Sequence, residues 1–225
     1  PRDLHETYLP AFEALVKDGQ VKEVMCAYNR FEGDPCCGSD RLLMQILRQE
    51  WGYEGIVVSD CGGIADFFRD KGHQTHADAE SASAAAVLSG TDLECGSSYK
   101  KLVNSVEKGL INEKDIDVSV KRLLKARFEL GEMDDNQKVS WSRIPYSVVC
   151  SAKHDSLSLD MARKSMTLLL NQNNILPLKR GGQMIAVMGP NANDSVMQWG
   201  NYNGTPKHTI TILDGIRSAL GKDDK

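Results

Sequence analysis

Gly55-Ile56-Val57-Val58-Ser59-Asp60-Cys61-Gly62-Gly63-Ile64 is the stretch that decides the fold, because it puts an acid at the end of the most strand-like run in the chain. The three successive β-branched residues from Ile56 to Val58 show no polar alternation, which is typical of a strand buried on both faces of a parallel sheet. Chemistry in such sheets lies at the carboxyl ends of the strands, where Asp60 falls, and the glycines after it would let a ligand approach the backbone. A second interpretation is equally open, in which Asp60 caps the next helix and the glycines only form the turn.

The composition is that of a globular protein. Of the 225 residues, 41% are hydrophobic, which is enough for one large domain or two ordinary ones. A net charge of -4 gives no electrostatic attraction for nucleic acid or an anionic membrane, and no apolar run approaches the length of a membrane span. We therefore expect neither as a partner. Pro1 leads directly into a helix pattern, without an initiator Met or the apolar region of a signal peptide, so we interpret the chain as a fragment of a longer protein.

The cysteines and histidines do not predict a metal site. The six cysteines form no Cys-x-x-Cys pair: Cys26, Cys36, Cys37, Cys61, Cys95 and Cys150. We predict free, buried or half-buried thiols, with disulfides as the alternative if the parent protein is exported. His73 and His76 have no third ligand nearby, so we assign them to a solvated loop. Neither a metal nor a cofactor is expected.

Predicted helices and strands alternate along the first part of the chain. Helices are predicted over 5–18, 77–89, 99–108 and 117–130, and a further helix is predicted to begin after Ser39 as its N-cap. Strands are predicted over 21–28, 56–60 and 91–95. This order indicates an α/β fold with a parallel sheet.

The polar, aperiodic stretch from 132 to 142 predicts a linker, which we extend over 132–153 between domains at 1–131 and 154–225. Beyond it, helices are predicted over 154–164 and from 213, and a buried strand over 184–188 follows an apolar run at 166–170. A second, truncated α/β domain therefore begins near residue 150.

Three strand ends line up as a possible site: Met25 with Tyr28 to Arg30, Ser59 with Asp60, and Asp92 with Glu94. If these strands are parallel neighbours, all three groups open on one rim. Convergent polar groups next to glycine-rich turns predict a binding or catalytic site.

Six segments in order carry a family resemblance: LPAF at 9–12, VMCAYNR at 24–30, WGYEGIVVSDC at 51–61, GTDLECG at 90–96, ILPL at 175–178 and AVMGPNA at 186–192. Together they resemble glycoside hydrolase family 3, the β-glucosidase and β-xylosidase family. The resemblance implies the C-terminal part of a (β/α)8 TIM-type barrel, followed by the start of an αβα sandwich domain.

The resemblance also implies a retaining glycosidase acting on β-linked xylosides or glucosides from plant polysaccharides. Asp60 would be the nucleophile that attacks the anomeric carbon and forms a glycosyl-enzyme ester. Met25 and Tyr28 resemble the Met and Tyr beside the nucleophile, and further candidate substrate contacts are Arg30, Ser59, Cys61 and Glu94. Cys61 departs from the Trp of many β-glucosidases and looks closer to the xylosidase-like branch.

Other parts of the family pattern lie outside the chain. The family's sugar-binding Lys-His pair belongs to earlier strands, and its acid/base Glu is expected beyond Lys225, so the fragment alone is predicted to be inactive. The expected partners are an oligosaccharide or aryl β-glycoside and the remainder of the parent chain. The family implies a periplasmic or secreted location. The alternative is a non-catalytic carbohydrate-binding or sensor relative of the same fold.

Overall fold

The computed structural model describes residues 2–179, 181–221 and 223, and the chain divides into two compact units, Pro1–Pro145 and Tyr146–Lys225. Within the described ranges, no helix is long and apolar enough to cross a membrane.

The first unit is built on a parallel pair of strands. Strand β1 (Glu23–Cys26) is followed by a small antiparallel hairpin of β2 (Arg30–Phe31) and β3 (Asp34–Pro35), and then by β4 (Ile56–Ser59). β1 and β4 pair in parallel, from Glu23 beside Ile56 to Cys26 beside Ser59. Both strands therefore end at the same edge of the sheet.

Helices connect and cover these strands. They are a wide helical turn Leu4–Tyr8, α1 (Pro10–Lys17), a π-type helix Arg41–Glu50, α2 (Ala79–Leu88), α3 (Leu102–Glu107) and α4 (Glu113–Glu129). The single helix predicted over 5–18 is divided in two. Pro10 explains the division, because it has no backbone N–H to continue the first segment and suits the first position of a new helix.

The core lies between β4 and α2. Val57, Ile64, Phe67, Ala82 and Ala86 belong to one cluster of buried residues. The alanine-rich sequence predicted a close approach of α2 to the sheet, but the small side chains of α2 instead let it pack against α3 and the turn Ser98–Lys101. Asp78 caps this helix by accepting a hydrogen bond of 2.8 Å from the Ser81 N–H.

The strand predicted over 91–95 is reduced to a single parallel bridge between Val58 and Leu93. The N–H groups of Asp92 and Leu93 both donate to the Val57 carbonyl, at 2.8 and 3.1 Å. The Val57 N–H donates to Asp92 Oδ2 at 2.9 Å instead of to a backbone carbonyl. The Asp92 carboxylate thus takes the place of a backbone carbonyl as the acceptor. This interrupts the hydrogen-bond ladder between β4 and the 91–95 segment after one bridge.

The second unit contains α5 (Ala152–Ser165) and α6 (Ile212–Ala219), which match the two predicted helices. The buried strand predicted over 184–188 is wrong. Its residues have no strand pairing, and Met184 and Met188 are largely exposed. An apolar run forms a strand only where a neighbour satisfies its backbone N–H and C=O groups, and no strand is present among the described residues of this unit.

Candidate active site

A cavity of about 670 Å³ lies at the carboxyl ends of β1 and β4. Its wall includes Met25, Tyr28 and Asp60, which the sequence predicted to converge on one rim. Met25 is on β1, Tyr28 follows that strand by two residues, and Asp60 follows β4. The parallel register brings the three together, because Cys26 pairs with Ser59 and the next residues of both strands emerge side by side.

Asp60 is half-buried and held through its own backbone and that of its neighbour. Its N–H donates to the Cys26 carbonyl at 3.2 Å, and its Oδ1 accepts the Cys61 N–H at 2.7 Å. The alternative interpretation of Asp60 as a helix cap is wrong, because the next helical turn, Ala65–Phe67, starts after Ile64 and has no side-chain cap. Gly62 does form a turn, with a φ of 77° that favours glycine.

Tyr28 is oriented across the cavity by a hydrogen bond. Its hydroxyl donates to the Cys61 carbonyl at 2.6 Å, so residue 61 contacts Asp60 through its N–H and Tyr28 through its C=O. The Met25 side chain is exposed towards the same cavity. The site therefore joins an acidic group, a phenol and a flexible apolar surface, which suits a polar ligand with an apolar face.

The loop after β4 adds side chains that the sequence analysis missed. Asp66, Lys71 and His73 line the same cavity, and His73 Nε2 lies 2.7 Å from the Tyr28 carbonyl oxygen. His73 therefore belongs to the cavity wall and not to a merely solvated loop. A signal for this was present, because loops that follow parallel strands carry many of the functional residues of α/β proteins.

His76, the other histidine of this loop, is partly buried against Phe67, with ring centroids 5.3 Å apart. Burial lowers the pKa of His76, and Asp34 opposes this shift.

Four other predicted substrate contacts do not line this cavity. Arg30 Nε donates to the Gly33 carbonyl at 2.9 Å within the β2–β3 hairpin. Ser59 is buried, and its Oγ accepts the Cys95 N–H at 3.1 Å. Glu94 accepts the N–H groups of Ser98 and Tyr99 at 2.9 and 2.6 Å. Cys61 is joined to Cys95, so each of the four has a structural partner that accounts for it.

The default prediction of six free thiols is wrong. Two disulfides are present, Cys26–Cys37 and Cys61–Cys95. The first bond joins the end of β1 to the turn Cys36–Gly38, and the second joins the residue two positions after β4 to Cys95, 34 residues further on. The tertiary fold brings these pairs together, which cysteine spacing alone does not reveal. The remaining thiols are Cys36, whose pKa is raised by burial, and Cys150, which is exposed.

Asp92 is not on the rim, which corrects the prediction for this residue. Its carboxylate is fully buried and contacts Arg48 Nη2 at 2.7 Å and Arg122 Nη1 at 2.8 Å. Arg122 also lines a separate cavity with Lys22 and Gly55, at the amino ends of the strands. Asp92 therefore lies towards the end of the sheet opposite to Asp60.

The fold and site describe an α/β protein with a carboxylate at the carboxyl end of a parallel strand. The model of the glycosyl hydrolase family 3 N terminal domain matches residues 1–126, and the model of the C-terminal domain of the same family matches residues 166–225. The chain belongs to glycosyl hydrolase family 3.

Similar proteins are named as glycosidases. A xylan 1,4-beta-xylosidase of Xylanibacter ruminicola is 56% identical over 98% of this chain, which covers 26% of that relative. A probable beta-D-xylosidase 7 of Arabidopsis thaliana is 36% identical over 96% of this chain, which covers 28% of it.

Two solved structures have similar folds. A GH3 exo-beta-xylosidase in complex with a xylobiose aziridine activity-based probe matches 99% of this chain with a TM-score of 0.84 and 30% identity. A mutant beta-glucosidase from Listeria innocua in complex with laminaribiose matches all of this chain with a TM-score of 0.83 and 26% identity. This chain covers 29% and 30% of those two proteins, so it spans less than a third of their length.

Proposed function

We propose that the chain is part of a retaining β-glycosidase that acts on β-linked xylosides or glucosides from plant polysaccharides, with Asp60 as the nucleophile. The observation that carries this proposal is the position of Asp60 at the end of β4, in one cavity with Met25 and Tyr28, within a family 3 chain. The names of the similar xylosidases favour a xyloside over a glucoside. The first unit would then be the C-terminal part of a (β/α)8 barrel, and the second the start of an αβα sandwich domain.

In this mechanism Asp60 Oδ2 attacks the anomeric carbon while the bond to the leaving oxygen breaks. A glycosyl-enzyme ester forms, and water then hydrolyses it with net retention of configuration. Oδ2 suits this role because Oδ1 is the oxygen that accepts the Cys61 N–H. The hydrogen bond fixes the carboxylate plane and leaves the other oxygen to face the sugar.

A second carboxyl group, about 5 to 5.5 Å from the first, must protonate the leaving oxygen in a retaining enzyme. Asp66 lines the same cavity but is paired with Arg69 Nε at 2.7 Å, so it is not a free proton donor. Glu94 is engaged by two backbone N–H groups. We therefore place the acid/base outside residues 1–225 and expect this segment to be inactive without the rest of the protein.

The disulfides support the further proposal that the parent protein is periplasmic or secreted, because such bonds persist in oxidising compartments.

The test is a comparison of Asp60→Asn with Asp66→Asn in the full-length protein, with an aryl β-xyloside and an aryl β-glucoside as substrates. Asp60→Asn should lower kcat by about a thousandfold or more, because the covalent step is lost. Asp66→Asn removes a carboxylate from the same cavity and should cost less than about tenfold, since no bond forms to it. Proton NMR of the first released xylose should show the β-anomer.

Azide sharpens this test. In Asp60→Gly, azide can occupy the space left by the carboxylate and attack the same face of the sugar. Turnover should then be restored, with an α-glycosyl azide as the product. An Asp60→Asn variant within about tenfold of wild type would overturn the assignment. Sugar binding without turnover by the wild type would favour the non-catalytic alternative.

A further inference from the structure

Residue 61 is the point at which the two candidate site groups meet. The Cys61 N–H donates to Asp60 Oδ1 at 2.7 Å, and the Cys61 carbonyl accepts the Tyr28 hydroxyl at 2.6 Å. The position of one peptide segment therefore sets the orientation of both the carboxylate and the phenol. A displacement of this segment by about 1 Å is enough to cost around a hundredfold in rate at an active site.

The local sequence does little to fix this segment. Cys61 is followed by Gly62 and Gly63, which have no side chains to pack, and Cys61 itself is exposed. Residue 95 ties it down in two ways, through the Cys61–Cys95 disulfide and through the Gly62 N–H, which donates to the Cys95 carbonyl at 2.6 Å. Residue 95 is itself anchored, because its N–H donates to Ser59 Oγ at 3.1 Å. Two further hydrogen bonds hold the glycines: Arg69 Nη2 donates to the Gly62 carbonyl at 3.2 Å, and the Gly63 N–H donates to the Asp60 carbonyl at 2.9 Å. The covalent bond is the strongest of these ties.

The two disulfides differ in accessibility. Cys26 and Cys37 are buried in the core, whereas Cys61 is exposed and Cys95 half-buried. Since thiol–disulfide exchange requires a thiolate to reach a sulfur atom, a dithiol in solution reaches Cys61–Cys95 first.

We propose that the Cys61–Cys95 disulfide is a positioning element for Asp60 and Tyr28, and that its reduction by a dithiol lowers turnover reversibly; this inference rests on the function proposed above. In the exchange, a thiolate of the dithiol attacks one sulfur and releases the other as a thiol. The second thiol of the reagent then displaces the first cysteine, so that two cysteine thiols and one cyclic disulfide result. The protein gains two electrons and two protons, all from the reagent.

The experiment uses the full-length protein with Cys36→Ser and Cys150→Ser, so that neither free thiol of this segment can exchange. Dithiothreitol is applied under native conditions, and alkylation followed by mass spectrometry identifies the reduced bond. We expect Cys61–Cys95 to open first and kcat for an aryl β-xyloside to fall about ten- to a hundredfold, with a smaller change in KM. Removal of the reagent and air oxidation should restore the rate.

Two variants separate positioning from a general effect on stability. Cys61→Ser/Cys95→Ser should be slow without reagent and insensitive to it. Tyr28→Phe should slow the oxidised enzyme but have little further effect in the Cys61→Ser/Cys95→Ser background, because the backbone carbonyl that accepts from the hydroxyl is no longer held in position. If the disulfide only stabilised the fold, its removal would lower the midpoint of thermal unfolding. The effects of Tyr28→Phe and of Cys61→Ser/Cys95→Ser on kcat would then be additive.

The outcomes are distinguishable. An oxidised enzyme that needs Asp60 but keeps its rate when Cys61–Cys95 is fully reduced overturns this inference alone. Earlier opening of Cys26–Cys37 also overturns it. Additive effects of Tyr28→Phe and Cys61→Ser/Cys95→Ser on kcat do the same. An oxidised enzyme without glycosidase activity overturns the proposed function and this inference with it.

Discussion

At the scale of the residue, hydrogen bonds decide what each polar side chain can do. Glu94 and Asp60 are both acids after a strand or strand-like segment, yet both carboxylate oxygens of Glu94 accept backbone N–H groups, at 2.9 and 2.6 Å. One oxygen of Asp60 accepts a single N–H, at 2.7 Å. This difference supports the proposal that Asp60 carries the chemistry, while Glu94 orders the turn that follows it.

His76 gives a prediction for pH dependence. Its pKa is lowered in the folded state because burial against Phe67 disfavours the imidazolium. Its contribution to stability is therefore present above the unfolded pKa of about 6.5 and is lost as the pH falls through the folded pKa. Histidine C2 hydrogen–deuterium exchange, read by mass spectrometry, should give a pKa below 6.5 for His76.

The control for this prediction is His5, which is exposed. His76→Gln should lose less stability than wild type between pH 7.5 and pH 5, whereas His5→Gln should follow wild type. An exchange-derived pKa for His76 at or above the unfolded value would contradict the argument.

At the scale of the element, one buried carboxylate joins three elements. Asp92 accepts hydrogen bonds from Arg48 on the 41–50 helix, from Ser119 and Arg122 on α4, and from the Val57 N–H on β4. Burial lowers the pKa of Arg48, and the nearby Asp92 opposes that shift. This cluster fixes the helices against the sheet at the end opposite to Asp60, so it supports the site without contacting it.

Asp92→Ala should destabilise the protein by about 3 to 5 kcal/mol, because it leaves the buried Arg48 without its charge partner. Asp92→Asn keeps the shape and some hydrogen bonds and should cost less. Urea unfolding of the full-length variants measures both effects.

The matched control is Glu54→Ala, which removes an exposed pair to Lys125 with an N–O distance of 3.3 Å. Such surface pairs contribute about 0 to 1 kcal/mol. Equal losses of stability in Asp92→Ala and Glu54→Ala would show that the buried cluster does not hold the elements together.

At the scale of the whole molecule, the second unit leaves apolar residues in contact with water. Among its described residues, Leu169 is 90% exposed and Met184 is 87% exposed. Large exposed apolar surfaces mark interfaces or aggregation-prone regions. The other parts of the parent protein are the partner that we propose for them.

Residues 1–225 expressed alone should therefore bind the dye 8-anilinonaphthalene-1-sulfonate and self-associate at micromolar concentration. Replacement of Leu168, Leu169 and Leu170 by serine should reduce both effects, because these three side chains are largely exposed. Sedimentation velocity and dye fluorescence provide the measurements. A monomer that binds no dye would contradict this view of the second unit.

The sequence predicted three helices well. α2, α5 and α6 lie within about two residues of their predicted bounds, since helix propensity is a property of neighbouring residues. The strand over 184–188 was wrong because a strand is stable only with a partner that sequence periodicity does not reveal. The linker at 132–153 and the domain bounds on either side of it stay predictions.

The sequence by itself determined that an acid, Asp60, follows a strand, because β-branched composition and glycine punctuation are properties of neighbouring residues. The predicted burial on both faces was wrong, since only Val57 and Ser59 of β4 are buried. Tertiary structure alone decided that His73 joins the cavity of Asp60, that Cys61 bonds Cys95, and that Asp92 is buried at the opposite end. These outcomes depend on strand register and on side chains that meet across more than 30 residues of sequence. A shift of one residue would turn each side chain to the other face of the sheet, so only the folded chain fixes which groups meet.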